Sequence, residues 1–166
     1  RNTAPALEER TESAAFYSCD FSRRDLAGHE FAGIKFSGCK FNSADLRRAD
    51  FCDTVFENCD LSGALLRGAS FRRAIFCGSK GMGADCSEGY FADARIEQCN
   101  FSYANFSEAK FRAARFLECD LADASLSNCA LKGLELQKVR LARVELYGTL
   151  FRGVDLTDCD LAGVTL

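Results

Sequence analysis

The chain has 166 residues, with 21 Lys and Arg against 24 Asp and Glu and a net charge of −3 at pH 7. This length suffices for one domain with a core, and the near balance of charge excludes a basic nucleic-acid-binding protein. No apolar run approaches the roughly 20 residues of a membrane-spanning helix, which excludes an integral membrane protein. We therefore expect neither direct nucleic-acid binding nor a membrane partner.

Residues 1–13, RNTAPALEERTES, precede a regular pattern and are predicted to fold over the N-terminal end of the domain at 14–166 as a cap. Every fifth residue from position 16 to position 166 is large and apolar, except at Gly81 and Cys86. All fifteen Phe of the chain stand at these positions, and Leu fills most of the others. Helices need an apolar period near 3.6 and strands need a period of 2, so neither forms a continuous element here.

A period of five describes a short extended segment followed by a corner. Eleven of the thirteen Gly stand two positions after the large apolar residue, which predicts positive φ or close approach at corners. Four five-residue sides give a 20-residue coil, and six cysteines share one phase of that period: Cys19, Cys39, Cys59, Cys99, Cys119 and Cys159. We predict an all-β, four-sided solenoid of nearly eight coils, about 38 Å long at ~4.8 Å per coil.

Successive coils should stack similar side chains inside the solenoid. One side aligns rings at a repeat suited to offset stacking: Phe31, Phe51, Phe71, Phe91, Phe111, Leu131 and Phe151. After Phe116 the large residue is nearly always Leu, and the small residue two positions earlier grows, as at Leu134 and Val139. This exchange of volume indicates that both positions point inward.

The motifs SADLRRADF (43–51), SYANFSEAKF (102–111) and LADASL (121–126) resemble the repeats of pentapeptide-repeat proteins. The resemblance covers residues 14–166 and implies a right-handed quadrilateral parallel β-helix of nearly eight 20-residue coils. Within that family, CDFSRRDL (19–26) and GADC (83–86) are most similar to the quinolone-resistance group, Qnr-like and MfpA-like. Proteins of this group are dimeric rods that imitate duplex DNA and bind type II topoisomerases, DNA gyrase and topoisomerase IV.

Nothing in the sequence indicates catalysis, a cofactor or a metal. His29 is the single His, so a Cys–His pair or a His-rich metal site would depend on it alone. The glycine-rich stretch 77–90 lacks both GxxxxGK[ST] and GxGxxG, and we interpret it as a distorted coil. A solenoid filled by its own side chains and without loops has no pocket for a substrate, so we predict that the protein is not an enzyme.

Seven of the ten cysteines occupy inward small positions: the column of six and Cys129. Free, buried thiols that pack as small hydrophobes fit these positions and predict a reducing, cytoplasmic location. Cys52 and Cys77 follow the large residue and are predicted to face solvent.

Surface charge is arranged by side. An acidic side is interrupted by Arg47, Arg48 and Arg67, and we expect the topoisomerase to bind its carboxylates: Asp25, Asp45, Asp85, Glu88, Glu108 and Glu145. Another side carries Arg72, Arg73, Arg112, Lys132 and Arg152, most simply a solvated face. The alternative function is a structural or adaptor rod that binds a different protein through its flat sides.

The C-terminal coil ends on apolar side chains that nothing in the sequence is expected to cover: Phe151, Leu156, Leu161 and Leu166. An open solenoid end exposes apolar surface and unpaired backbone, which favours edge pairing. We predict a two-fold homodimer through these coils, as the family resemblance also implies.

Overall fold

The computed structural model describes residues 14–166, which form an all-β parallel solenoid of about seven turns with about 20 residues per turn and no helix. The predicted fold class is therefore confirmed, while the cap predicted at 1–13 lies outside the described residues. Eleven strands of three residues are formed: β1 (Ala15–Tyr17), β2 (Lys35–Ser37), β3 (Val55–Glu57), β4 (Ile75–Cys77), β5 (Tyr90–Ala92), β6 (Arg95–Glu97), β7 (Lys110–Arg112), β8 (Arg115–Leu117), β9 (Ala130–Lys132), β10 (Glu135–Gln137) and β11 (Leu150–Arg152).

Four parallel ladders run along the solenoid, one for each side. We number the sides from the first coil: side 1 begins with 14–18, side 2 with 19–23, side 3 with 24–28 and side 4 with 29–33, and each recurs every 20 residues. Side 1 is a seven-stranded sheet in the order β1-β2-β3-β4-β6-β8-β10, and side 4 ends in the four-stranded sheet β11-β9-β7-β5. Single parallel bridges join the coils on sides 2 and 3.

Every corner of the described coils has one residue with positive φ. Eleven of these residues are glycines and nineteen are not. Glycine adopts this conformation without strain, whereas a residue with a Cβ does so at some cost. Hydrogen bonds between coils hold the corners, as where the Gly28 amide donates to the Arg47 carbonyl at 2.8 Å. The glycine pattern therefore identified the corners correctly, although most corner residues are not glycine.

The core is the column of large residues and their small companions, as predicted. On side 4 the rings of Phe31, Phe51, Phe71, Phe91 and Phe111 stack with centroids 4.7 to 5.3 Å apart and planes within 15°. A second stack on side 1 joins Phe16 to Phe76 through intervening coils. Neighbouring sides meet edge to face, as Phe36 meets Phe41 at 87°, so that rings fill the centre of each coil.

The two departures from the pattern are filled by neighbouring rings. The Phe101 ring occupies the space beside Gly81, where an added Cβ would overlap its edge. Cys86 is buried, and a Cβ on Gly89 would lie 2.9 Å from both the Cys86 carbonyl oxygen and the Phe91 ring. The stretch 77–90 thus keeps the register of the solenoid; Gly81 and Gly89 make room for rings, whereas Gly78 and Gly83 form corners with positive φ.

Candidate protein-interaction surface

The structure places the six predicted partner-binding residues on side 3. Asp25, Asp45, Asp85 and Glu145 belong to one ladder, in which Asp25 bridges Asp45 and Leu65 stands between Asp45 and Asp85. Glu88 and Glu108 lie one coil apart at the corner that follows this ladder, both exposed and both with positive φ. Side 3 therefore carries these carboxylates along its length, as the five-residue register requires.

Two of the six carboxylates are neutralised by arginine. Asp45 accepts hydrogen bonds from Arg47 at 2.8 and 2.6 Å, and these bonds lower the pKa of Asp45. Glu88 pairs at 2.5 Å with Arg67 of the preceding coil, whose hydrogen bond lowers the pKa of Glu88. The sequence prediction treated these arginines only as interruptions of the acidic side. Arg47 stands two residues after Asp45, and side chains with this spacing on an extended segment lie on the same face, so their pairing was predictable.

The other four carboxylates, Asp25, Asp85, Glu108 and Glu145, form no ion pair with any described residue. Asp85 accepts hydrogen bonds from the Ser87 amide at 3.1 Å and the Ser87 hydroxyl at 2.6 Å, and Asp25 accepts one from the Ala27 amide at 3.2 Å. These hydrogen bonds, from residues two positions later in the chain, fix the two aspartate side chains but do not neutralise their charge. Side 3 also carries Arg24 and Arg48, so its negative field is the excess of these four carboxylates over those two arginines.

In the N-terminal half of side 4, an arginine forms an ion pair with an aspartate of the preceding coil. Arg73 donates two parallel hydrogen bonds to Asp53 at 2.7 and 2.8 Å, and they lower the pKa of Asp53 to about 2. The Arg73 guanidinium also lies 3.2 Å from the Cys52 sulfur. Cys52 is consequently buried, and its predicted exposure is wrong: the arginine of the next coil covers it.

The remaining thiols follow the prediction more closely. All ten cysteines are free; the five inward ones away from the ends are buried, while Cys77, Cys19 and Cys159 are partly exposed. Inward thiols donate to a carbonyl of the preceding coil, as Cys129 does to Phe106 at 2.9 Å. Ser79 and Thr54 do the same at 3.1 and 2.8 Å, so a small side chain with a donor at this position bonds to the preceding coil without leaving the core. Burial raises the pKa of Cys129 to about 12, which keeps it a thiol.

The last coil is the least covered part of the described chain. Phe151, Leu156, Leu161 and Leu166 expose between 39 and 86 % of their surface, in contrast to the buried residues of the same columns in earlier coils. β11 pairs only with β9, so its outer edge has unpaired backbone groups. The predicted interface residues thus form an apolar end with a free edge.

Within residues 14–166 no three His, Cys, Asp or Glu side chains are grouped to hold a metal ion. The described part of the chain also contains no helix that is long and apolar enough to cross a membrane.

Two family profiles match the chain. The profile of the pentapeptide repeat region matches residues 49–126, and that of pentapeptide repeats in eight copies matches 14–51, 119–158 and 131–166. The chain belongs to the pentapeptide-repeat family. Proteins of this family are generally non-enzymatic.

No curated protein matches this pentapeptide-repeat protein. Among solved structures, it is similar to QnrB1, a plasmid-mediated fluoroquinolone resistance protein, with 28% identity over 99% of this chain and 86% of that chain and a TM-score of 0.46. HetL, involved in heterocyst differentiation regulation in Nostoc, is 20% identical over 97% and 90%, with a TM-score of 0.38. A thylakoid-lumen protein of Arabidopsis thaliana is 24% identical over 68% of each chain, with a TM-score of 0.31.

Proposed function

We propose that this pentapeptide-repeat protein is a non-enzymatic interaction rod that binds a type II topoisomerase, DNA gyrase or topoisomerase IV, in the place of duplex DNA and thereby protects it against quinolones. The observation that carries the proposal is the alignment of acidic side chains on one side of a rod whose five-residue register has no insertion. The resemblance of CDFSRRDL and GADC to the quinolone-resistance group supplies the partner. The ten free cysteines favour the cytoplasm as the compartment.

Charge restricts how the imitation can work. Duplex DNA as long as the rod carries on the order of 22 negative charges, at one per ~1.7 Å, whereas the whole chain has a net charge of −3. The contact must therefore be confined to side 3. Because Arg47 and Arg67 offset two of its carboxylates, the attraction to a basic groove comes from Asp25, Asp85, Glu108 and Glu145, and Arg24 and Arg48 on the same side reduce it.

We further propose that two copies join through the C-terminal coils to give a rod of double length. The exposed Phe151, Leu156, Leu161 and Leu166 provide the apolar contact, and β11 provides a pairing edge. Sedimentation at micromolar concentration should give a dimer, and Leu161→Arg should give a monomer. Leu65→Arg, at an exposed leucine on side 3, should leave the dimer intact. A monomeric parent would refute this assembly.

The central test is inhibition of gyrase supercoiling by the purified protein, with and without a quinolone. A charge-reversed variant, Asp85→Lys/Glu108→Lys/Glu145→Lys, should lose binding and inhibition, because these side chains point away from the core and supply unbalanced charge. The control Glu57→Lys/Glu97→Lys/Glu118→Lys makes the same change in charge on side 1, the opposite side of the rod, where each carboxylate has an ion-pair partner. It should retain both, and circular dichroism verifies that each variant keeps the solenoid.

Salt provides an independent measure of the mechanism. Attraction between exposed charges is screened beyond roughly 10 Å at 0.1 M salt, so the affinity of the parent for gyrase should fall as salt rises. The side 3 variant should lose most of this salt dependence. If it binds gyrase as well as the parent does, imitation of DNA is not the mechanism.

The low net charge favours a second candidate, an adaptor rod that binds another protein through its flat sides. Absence of any effect of the parent on gyrase, together with absence of gyrase subunits from a pull-down, would select this candidate.

A further inference from the structure

The C-terminal half of side 4 carries four exposed cations, which we call the basic strip: Lys110, Arg112, Lys132 and Arg152. Arg112 pairs in register with Lys132, and Lys132 with Arg152, so three like charges follow one another on consecutive coils. The coil spacing is ~4.8 Å, and like charges directly opposite each other destabilise a sheet. Repulsion between these like charges therefore lowers the stability of the solenoid in this region.

Several other cations of the described surface are balanced by a carboxylate of an adjoining coil. On the same side Arg73 pairs with Asp53, and at the corner that ends side 2 Arg143 pairs with Asp123 at 2.7 Å. No member of the basic strip forms an ion pair or a side-chain hydrogen bond with any residue of 14–166. The charge of the strip is thus left for a group outside the chain.

The borders of the strip limit the width of that group. Ala130 lies within the strip, Ala113 and Gly133 lie along one border, and none of these small residues rises above the backbone. Beyond the borders stand Glu108 at one corner and Glu135 at the start of the next side. The flat region between these glutamates is about 10 Å wide, the length of three extended residues.

We propose that the basic strip is a docking site for an extended acidic segment of another protein. A peptide in β conformation that lies along the rod presents alternate side chains about 6.8 Å apart, within reach of arginine and lysine side chains that repeat every ~4.8 Å. Arginine binds a carboxylate through two parallel hydrogen bonds, the arrangement that Arg73 already makes with Asp53 inside this chain. Charge complementarity and narrow width together select this occupant.

Nucleic acid fits the strip less well. The major groove of a duplex is about 12 Å wide by itself, so a duplex would bring its phosphates over Glu108 and Glu135. Single strands bind platforms of several aromatic side chains. The strip has Tyr90 in register with Lys110 at one end and Leu150 in register with Ala130 at the other, and it presents Ala113, Ala130 and Gly133 between its charges.

The proposal is independent of topoisomerase binding and is tested with a fluorescein-labelled decaglutamate peptide at low salt. Fluorescence anisotropy should show binding to the parent and at least tenfold weaker binding to Arg112→Glu/Lys132→Glu. The matched control Lys40→Glu/Lys80→Glu makes the same change in charge at exposed side 2 lysines without ion pairs and should weaken binding less than threefold. Circular dichroism and thermal unfolding verify that both variants keep the solenoid.

Three results would overturn the proposal: no binding of decaglutamate by the parent, equal loss in the two variants, or tighter binding of an oligonucleotide that is lost in the strip variant. The strip variant should inhibit gyrase as the parent does, so failure of the topoisomerase proposal and failure of this one give different results.

Discussion

Phe111 and Arg112 are neighbours in β7, yet Phe111 belongs to the inward region, whose side chains fill the core, and Arg112 to the outward region, whose side chains face solvent. Phe111 is buried between rings of its own and adjacent coils, with Phe91 stacked at 4.8 Å. Arg112 projects into solvent. The inward region has a large apolar residue every five positions along the whole rod. The charge of the outward residues, in contrast, differs between sides and between the two halves of the rod.

The contrast separates what holds the solenoid together from what it presents to a partner. Inward side chains are constrained every fifth residue, because each coil must fill a fixed cross-section. Outward side chains are free to vary, and their charges collect as carboxylates on side 3 and as the basic strip on side 4. Stability should thus respond to inward substitutions and partner binding to outward ones.

The largest effect is expected from removal of an inward ring. Phe111→Ala should lower the free energy of unfolding by about 3–5 kcal/mol, because it opens a cavity in the core between Phe91 and Leu131. Arg112→Ala, one residue away and outward, should cost less than about 0.5 kcal/mol. Chemical denaturation of both variants measures the difference. Equal losses would mean that the inward and outward positions are wrongly distinguished.

The inward region was predictable from the sequence because a single geometric condition repeats in it. A large apolar residue every five positions, with a 20-residue recurrence of cysteine, predicts four sides and their register. The exceptions were not predictable in detail. Gly81 leaves a volume that a ring of the next coil, Phe101, fills by leaning toward it, and only coordinates reveal which neighbour moves.

The next largest effect is expected at that exception. Gly81→Ala adds a Cβ that overlaps the Phe101 ring, so overpacking should cost about 1–3 kcal/mol. Gly81 does not have positive φ, so the cost is steric. Phe101→Leu removes the ring edge and should make Gly81→Ala less costly in the double variant.

A glycine two residues away serves as the control. Gly83 has φ +65° and open space around its Cβ position, so Gly83→Ala should cost about 1–2 kcal/mol through backbone strain alone. Phe101→Leu should leave this cost unchanged. If the same second substitution rescues both alanine variants, the ring is not what Gly81 accommodates.

Cys52 is the residue that tests the boundary between the two regions. Its position is outward, yet Arg73 covers it. With a thiol reagent under native conditions, Cys77 should be labelled well before Cys52, and the buried Cys59 should be labelled last, since access controls reactivity. Arg73→Ala should accelerate labelling of Cys52 and leave Cys77 unaffected. Equal rates for Cys52 and Cys77 in the parent would contradict the covering by Arg73.

The candidate site was predictable in its placement and less so in its electrostatics. Residue numbers alone assign the six carboxylates to side 3, because the register is unbroken. Pairing between coils depends on side-chain length and rotamer, so a separation of 21 residues did not reveal that Arg67 reaches Glu88. The identity of the partner depends on the shape and charge of the partner's own surface, which are not encoded in this sequence.

The smallest effect is expected from an outward ion pair. Hydrogen bonds from Arg73 lower the pKa of Asp53 to about 2, against about 4 in an unfolded chain. A carboxylate whose folded pKa is lowered contributes stability that is complete above about pH 4 and lost as the pH falls toward 2. Asp53→Asn should therefore lower Tm at pH 7, and the difference from the parent should vanish between about pH 4 and pH 2.

The size of that difference distinguishes surface from core. Both partners are about half exposed, so solvent screens the pair, and the change in Tm should not exceed roughly 2–4 °C. Asp93→Asn, in the same column and without an ion pair in the described chain, is the control and should lower Tm at pH 7 by less than Asp53→Asn does. Thermal unfolding followed by circular dichroism from pH 2 to pH 7 provides the measurement. A loss as large as that of Phe111→Ala, or one that persists at pH 2, would show that this outward residue supports the coil itself.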